Sequence, residues 1–397
     1  MREKYVPQAE IEFRIHRLQK SLLREQIEAV LVAYKMDYFY LSGQAQDSIL
    51  FVPAEGKPLL LVLRDIDRAK KESPLEQVVP LDSIVELPKV IKNFYGTLPR
   101  RIGLELDVVP VRDYFRYQEL FLKAEIVDSA KIIKQLRMNK SPFEIAQMRR
   151  AGEIGKKVHE EGLNILKEGM TEIEFGGHLE LIAKQLEHEG LIRVRSLNYE
   201  AYSWHVLSGT SGSIVSQANS PMGGAGLSPA FPVGAGTKKI KAHEPILVDF
   251  GVCYNGYIVD STRMYSIGEL PEKYIKAYEA SKTIEHLVLE EARPGADCEE
   301  IYEKTVNLAA NLGYEEYYLG IPGKKTFFVA HGIGLEINEI PFLAAGQHYA
   351  LEEGTTIAVE PKMVFPGEAG VGIENTVLIT NQGIEILTTS SEEIFQV

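Results

Sequence analysis

The segment ILVDFGVCYNGYIVDST, Ile246 to Thr262, constrains the chain more than any other: it reads as a β-hairpin, yet each strand carries an aspartate among apolar residues. Asn-Gly favours a two-residue turn whose backbone suits the twist of the flanking strands. With Asn255-Gly256 as that turn, Tyr254 pairs with Tyr257 and, counting outward, Gly251 pairs with Asp260. Asp249 shares a face with Gly251. The two carboxylates are thus diagonal neighbours on one face, roughly 7–8 Å apart at Cα. A buried carboxylate without a partner is costly and tends to neutralise itself, so the pair is expected to converge on a cation.

A chain of 397 residues exceeds one ordinary core, and two domains are the default. The net charge of −13 offers no basic stripe to phosphates, which argues against a nucleic-acid or anionic-membrane partner. Two cysteines, Cys253 and Cys298, are too few for a disulfide framework and match no zinc or redox spacing, so a reducing compartment fits. The charged start MREKYVPQAEIEFRIHRLQK has no apolar signal-type core, and no apolar run is long enough for a bilayer. The expectation is a soluble cytoplasmic protein.

The chain divides near Lys131 to Ser141, giving domains at 1–135 and 136–397. Before the division, strand-like AVLVAY, SILFVP and PLLLVL alternate with amphipathic segments such as AEIEFRIHRLQKSLLREQ, an α/β pattern with a parallel or mixed sheet. After it, Ser141 with Glu144 and Thr171 with Glu174 are capping boxes, and Pro142 suits a first helical position. They predict a long helix from Pro142 and another ending near Gly190. Asp297 with Glu300 caps a third, running to about Gly313. The glycine-rich SGTSGS and PMGGAGLSPAFPVGAG match no phosphate-binding fingerprint and read as flexible active-site loops. FFVAHGIG, TTIAVEPKMVF, VGIENTVLIT and GIEILTT make the last hundred residues strand-rich.

His331 in VAHGIG, Glu360 in TIAVEP and Glu374 in VGIENTVLI share the oddity of the hairpin. Any one of them has an ordinary structural explanation. Taken with Asp249 and Asp260 they make four carboxylates and an imidazole in apolar strands, which an interior tolerates only around cations. Oxygen-rich ligation with one imidazole suits two divalent ions such as Mn²⁺, Co²⁺, Fe²⁺ or Zn²⁺, at the roughly 3.5–4 Å spacing of two-metal hydrolases.

The ordered set VDFG, VDSTR, AHGIGLEINEIP, AVEP and GIENTVLIT resembles the metallopeptidase family of prolidases, proline-specific aminopeptidases, methionine aminopeptidases and creatinase. MDYFYLSGQAQDSILFVP and LRMNKSPFEIAQMRRAGEI extend the resemblance to a creatinase-type N-terminal domain, so it covers nearly the whole chain. It implies an α/β N-terminal domain followed by an α+β pita-bread catalytic domain. It also implies that Asp249 chelates one metal, that Asp260 and Glu374 bridge both, and that His331 and Glu360 complete the second. Thr262 and Arg263 would support the ligands from behind. A homodimer is the assembly the resemblance suggests.

Around that ligand set the sequence departs from the family. Asn338 stands where proline-specific members usually carry a histidine, Pro232 lies near the place of another, and Gly372 and Asn375 replace an arginine and an aspartate beside Glu374. The expected activity is hydrolysis of a short peptide, of the Xaa-Pro dipeptidase or aminopeptidase kind. Glu360 would be the general base, and Asn338 or His205 would hold the oxyanion. The alternative is a creatinase-like enzyme of the same fold acting on a non-peptide bond of a small molecule.

Overall fold

AVLV and LLLV show no polar alternation, the mark of strands covered on both faces, and both form wholly buried strands. The computed structural model describes residues 5–196 and 204–397 and divides into two units, Met1–Arg137 and Met138–Val397. In the first, β1 (Ala29–Val32), β2 (Ser48–Pro53), β3 (Leu59–Val62), β4 (Val78–Pro80), β5 (Arg101–Leu104) and β6 (Glu125–Asp128) form a sheet in the order β4-β3-β2-β1-β5-β6. The sheet is mixed, because β1 runs antiparallel to β2 and parallel to β5. Helix Gln8–Arg24 buries Ile11, Ile15, Leu18 and Leu22, the stripe that three- and four-residue spacing produces.

In the second unit both capping boxes form as expected and start helices Pro142–Gly162 and Glu172–Gln185. The second stops short of Gly190: Glu187 takes a positive φ of 77°, and His188 N–H returns to the Ala183 carbonyl. Asp297 accepts from the backbone of Glu299 and Glu300 and starts helix Cys298–Asn311. Helix Glu272–Glu291 completes this group of long helices. No helix among the described residues is long and apolar enough to cross a membrane.

The large sheet of this unit uses β7 (Trp204–Ser208), β8 (Ile246–Tyr254), β9 (Tyr257–Ser266), β10 (Phe328–Gly332), β11 (Glu339–Ala344) and β12 (Thr356–Val359). A separate ribbon pairs β13 (Lys362–Phe365) with β14 (Ala369–Gly372). The sheet resumes with β15 (Glu374–Thr380), giving the order β11-β10-β12-β15-β9-β8-β7, and β16 (Gly383–Ile386) and β17 (Phe395–Gln396) pair with β15 and β9. The β8–β9 register is the one counted from the turn, with Tyr254 opposite Tyr257 and Gly251 opposite Asp260. Asn255 and Gly256 have φ of 49° and 84°, the left-handed pair such a turn requires.

Two runs that read as single strands are broken. TTIAVEPKMVF leaves the sheet at Glu360-Pro361 and resumes as β13, and VGIENTVLIT breaks at Ile373 between β14 and β15. Pro361 has no N–H to offer a ladder. Each break falls beside a glutamate, so Glu360 and Glu374 stand where the main sheet gives way to the ribbon.

Candidate metal centre

The hairpin delivers Asp249 and Asp260. β10 delivers His331, and the two strand breaks deliver Glu360 and Glu374. All five line one cavity with an empty volume of about 620 Å³, counting its open mouth. Its remaining wall mixes apolar Ile192, Val194, Phe250, Phe328 and Ile337 with polar His205, Asn219, Ser220 and Asn338. Asp260, His331 and Glu374 each turn one ligand atom into a common space, with those atoms within 4.8 Å of one another. Three such donors fit a divalent ion.

Three of these side chains, His331, Glu374 and Asp260, are held from behind. His331 Nδ1 lies 3.1 Å from the Gly332 carbonyl, so donation from Nδ1 leaves the Nε2 lone pair available to a divalent ion. That Nε2 is 3.5 Å from Glu360 Oε1 and 4.0 Å from Glu374 Oε1. Thr262 Oγ1 donates to Glu374 Oε2 at 2.9 Å. Asp260 Oδ1 accepts the Ser261 N–H at 3.0 Å. His205 stands opposite Asp249 across the β7–β8 ladder, its Nδ1 3.9 Å from Asp249 Oδ2.

The centre also holds a residue that reading the sequence did not select. Lys362, at the start of β13, is buried, and its ammonium donates to Asp249 Oδ2 at 2.8 Å, Glu360 Oε2 at 2.8 Å and Glu374 Oε2 at 3.1 Å. A signal for it was present. Glu360 and Lys362 are two residues apart, so a continuous strand would put both on one face, and a lysine amid Ala, Val, Met and Phe needs a buried counter-charge.

Charge follows contact. Burial would raise Asp249, but Lys362 and His205 hold it below the ordinary carboxylate range. Asp260, which is not among the three acceptors of Lys362 and feels only a smaller lowering from it, is driven well above that range by burial and then by Glu374 and Asp249. Burial lifts Glu374 to about 7 against the pull of Lys362, and it raises Glu360 as well. Burial keeps His331 and His205 neutral at ordinary pH, His205 titrating at about 4. For Lys362, burial works against the charge, but Asp249, Glu360 and Glu374 together raise it well above the usual lysine value.

Several expectations about the surroundings need correction. Pro232 is exposed and not part of the cavity wall, where Asn219 and Ser220 stand instead. SGTSGS is not a loose loop: residues 209–213 form a 3₁₀ turn, and Glu172 Oε1 pins it by accepting from Ser208 N–H at 2.7 Å, Ser208 Oγ at 2.8 Å and Ser211 Oγ at 2.5 Å. Gly372, expected only as a lost arginine, lies directly opposite Lys362 in the ribbon. A Cβ there would meet Lys362 Cγ at 2.6 Å and the Pro361 carbonyl oxygen at 2.8 Å, so glycine leaves room for the lysine stem. Asn375 points away from the cavity, accepting from Arg263 at 2.7 Å and donating to Glu285 and Glu392 at 3.0 Å each.

That network gives a pH prediction. Burial, aided by Glu392, raises Glu285 from 4.5 to about 8. Above 4.5 the unfolded chain has lost this proton while the folded protein keeps it, so the group's contribution is full below 4.5 and lost as pH rises towards about 8. The loss is roughly 1.4 kcal/mol for each pH unit crossed. Melting of the unmodified protein is expected to decline across this window, and Glu285→Gln to flatten the decline. An unchanged slope in the variant would show that another group carries it.

Residues 146–381 match metallopeptidase family M24, and residues 14–139 match the creatinase/prolidase N-terminal domain. The chain is 28% identical over 385 residues to an uncharacterized peptidase of Staphylococcus aureus, covering 94% of this chain and 98% of the relative. It is 27% identical over 379 residues to an Xaa-Pro dipeptidase of Pyrococcus horikoshii, covering 94% and 95%. The crystal structure of an X-Pro aminopeptidase from Thermotoga maritima is similar with a TM-score of 0.80 at 27% identity, covering 96% of this chain and 99% of that one.

Proposed function

The chain belongs to metallopeptidase family M24, a creatinase/prolidase-type α/β domain followed by a pita-bread catalytic domain, and from that premise we propose that it hydrolyses short peptides of the Xaa-Pro class. The observation that carries this reading is the convergence of Asp260, His331 and Glu374, with Glu360 beside them, in an open cavity whose wall mixes apolar and polar side chains. A divalent ion bound there would polarise the scissile carbonyl and make a water more acidic.

The chain's own groups do the rest. Glu360, raised above an ordinary carboxylate, is suited to take a proton from the attacking water and return it to the leaving nitrogen. Asn338 on the cavity wall offers an amide N–H to the oxygen that gains charge, and neutral His205 is the second candidate donor. Ile192, Phe250, Phe328 and Ile337 offer apolar surface to a proline ring. The two free, buried cysteines are consistent with a reducing, cytoplasmic setting.

Among the described residues lining the cavity there is no lysine or arginine. A dipeptide's terminal carboxylate would lack a cationic clamp on that wall. An aminopeptidase-like preference for chains continuing beyond proline therefore suits the site better than a strict dipeptidase. The test is kcat/KM on Xaa-Pro dipeptides against Xaa-Pro tripeptides, after reloading with Mn²⁺, Co²⁺ or Zn²⁺. Tripeptides are expected to be better by about tenfold, the worth of roughly 1.4 kcal/mol of lost carboxylate binding. Asn338→His should improve both without altering metal content. Cleavage of neither series with any of the three metals would overturn the peptidase reading.

A further inference from the structure

We propose that this centre takes one divalent ion, and that the Lys362 ammonium permanently holds the place where a second would be bound. This rests on the chain being a metal-dependent peptidase and changes what its centre contains. The carboxylate oxygens fall into two sets. Asp249 Oδ2, Glu360 Oε2 and Glu374 Oε2 all accept from Lys362, at 2.8, 2.8 and 3.1 Å. Glu360 Oε1 and Glu374 Oε1 instead face His331 Nε2, at 3.5 and 4.0 Å, and Asp260 joins that side. Each glutamate thus shares its two oxygens between a fixed ammonium and an ion position.

Lysine has three donors, and all are spent. An ion bound by the same three oxygens would have to lie about 2.0–2.2 Å from each, in the space the nitrogen fills. The ammonium cannot easily move aside. Lys362 is buried, its stem crosses the bare face of Gly372, and its backbone carbonyl is fixed by the Leu319 N–H at 2.8 Å. Swinging out would leave a buried ammonium without acceptors and three carboxylates facing one another. The lysine is also the cheaper occupant, because it is covalently present and needs no supply of metal.

The test strips the full chain with chelator, reloads it with Mn²⁺, removes loosely held ions, and measures metal per chain together with the electron paramagnetic resonance spectrum. The unmodified protein is expected to keep one ion per chain with the spectrum of an isolated Mn²⁺. Two ions per chain, or an exchange-coupled pair, would overturn the inference even if peptides are cleaved. Lys362→Ala, checked by circular dichroism and melting, is expected to double the metal content and show coupling. A folded Lys362→Ala protein that still holds one ion would also overturn it, because the ammonium would not be what excludes the second. If that variant does not fold, the spectrum of the unmodified protein decides alone. One tightly held ion without peptide cleavage would sink the peptidase reading and leave this inference standing, while retention of no ion at all would end it.

Discussion

Replacing Glu374 with alanine is expected to empty the ion position and lower peptide-cleaving kcat/KM by about 10³-fold or more, since the charge stabilisation lost with a catalytic ion is worth several kcal/mol. Glu374 faces His331 with one oxygen and Lys362 with the other. Its loss removes an ion ligand and one of three acceptors from the ammonium, so the two halves of the centre fail together. Asp260→Ala separates them. Asp260 belongs to the group around His331 but not to the acceptors of Lys362, so that variant should lose the ion while keeping the lysine cluster and most of its stability. Elemental analysis and melting on both proteins make the comparison. Retention of metal at the unmodified level after either change would remove that residue from the ligand set.

The hairpin was legible because an Asn-Gly turn fixes register by counting, and register fixes which side chains share a face. Counting from the turn alone therefore places Asp249 and Asp260 together, and the observed pairing of Gly251 with Asp260 agrees. Ser141 and Thr171 were legible for a similar local reason: a capping box is completed within four residues. Lys362 was legible only in part: its spacing from Glu360 marks a shared face, but its role depends on contacts across 113 residues to Asp249 and 12 to Glu374. Gly372 was misread for the same reason. Seen along the chain it is an arginine missing from a motif, whereas seen across the β13–β14 ribbon it is the space that Lys362 requires. The misplacement of Pro232 has a different origin: the loops between β7 and β8 carry no periodicity to count from, so sequence distance from Asp249 did not indicate which residues turn into the cavity.

The largest expected loss of stability away from the ion position comes from Arg263→Met. The guanidinium is buried at the edge of the centre and donates to the carbonyls of Thr262 at 2.9 Å, Glu374 at 2.8 Å, Thr388 at 3.1 Å, Ser390 at 3.1 Å and Ser391 at 2.8 Å, and to Asn375 Oδ1 at 2.7 Å. One side chain thereby ties the C-terminal segment to the strand that starts with Glu374. Methionine keeps much of the stem but leaves these acceptors unsatisfied, and a buried acceptor without its partner costs roughly 1–3 kcal/mol. Water entering the space would recover part, so a net loss of about 4 kcal/mol is expected, or roughly 10 °C in melting temperature for a unit of this size. Arg263→Lys, which can satisfy only some of the acceptors, should fall between. Because the Glu374 carbonyl is among them, Mn²⁺ affinity should weaken in the same order. A melting temperature within about 2 °C of the unmodified protein would mean that the segment holds without Arg263, and a large loss of stability with unaltered Mn²⁺ affinity would show that Glu374 is positioned by Thr262 and Lys362 instead.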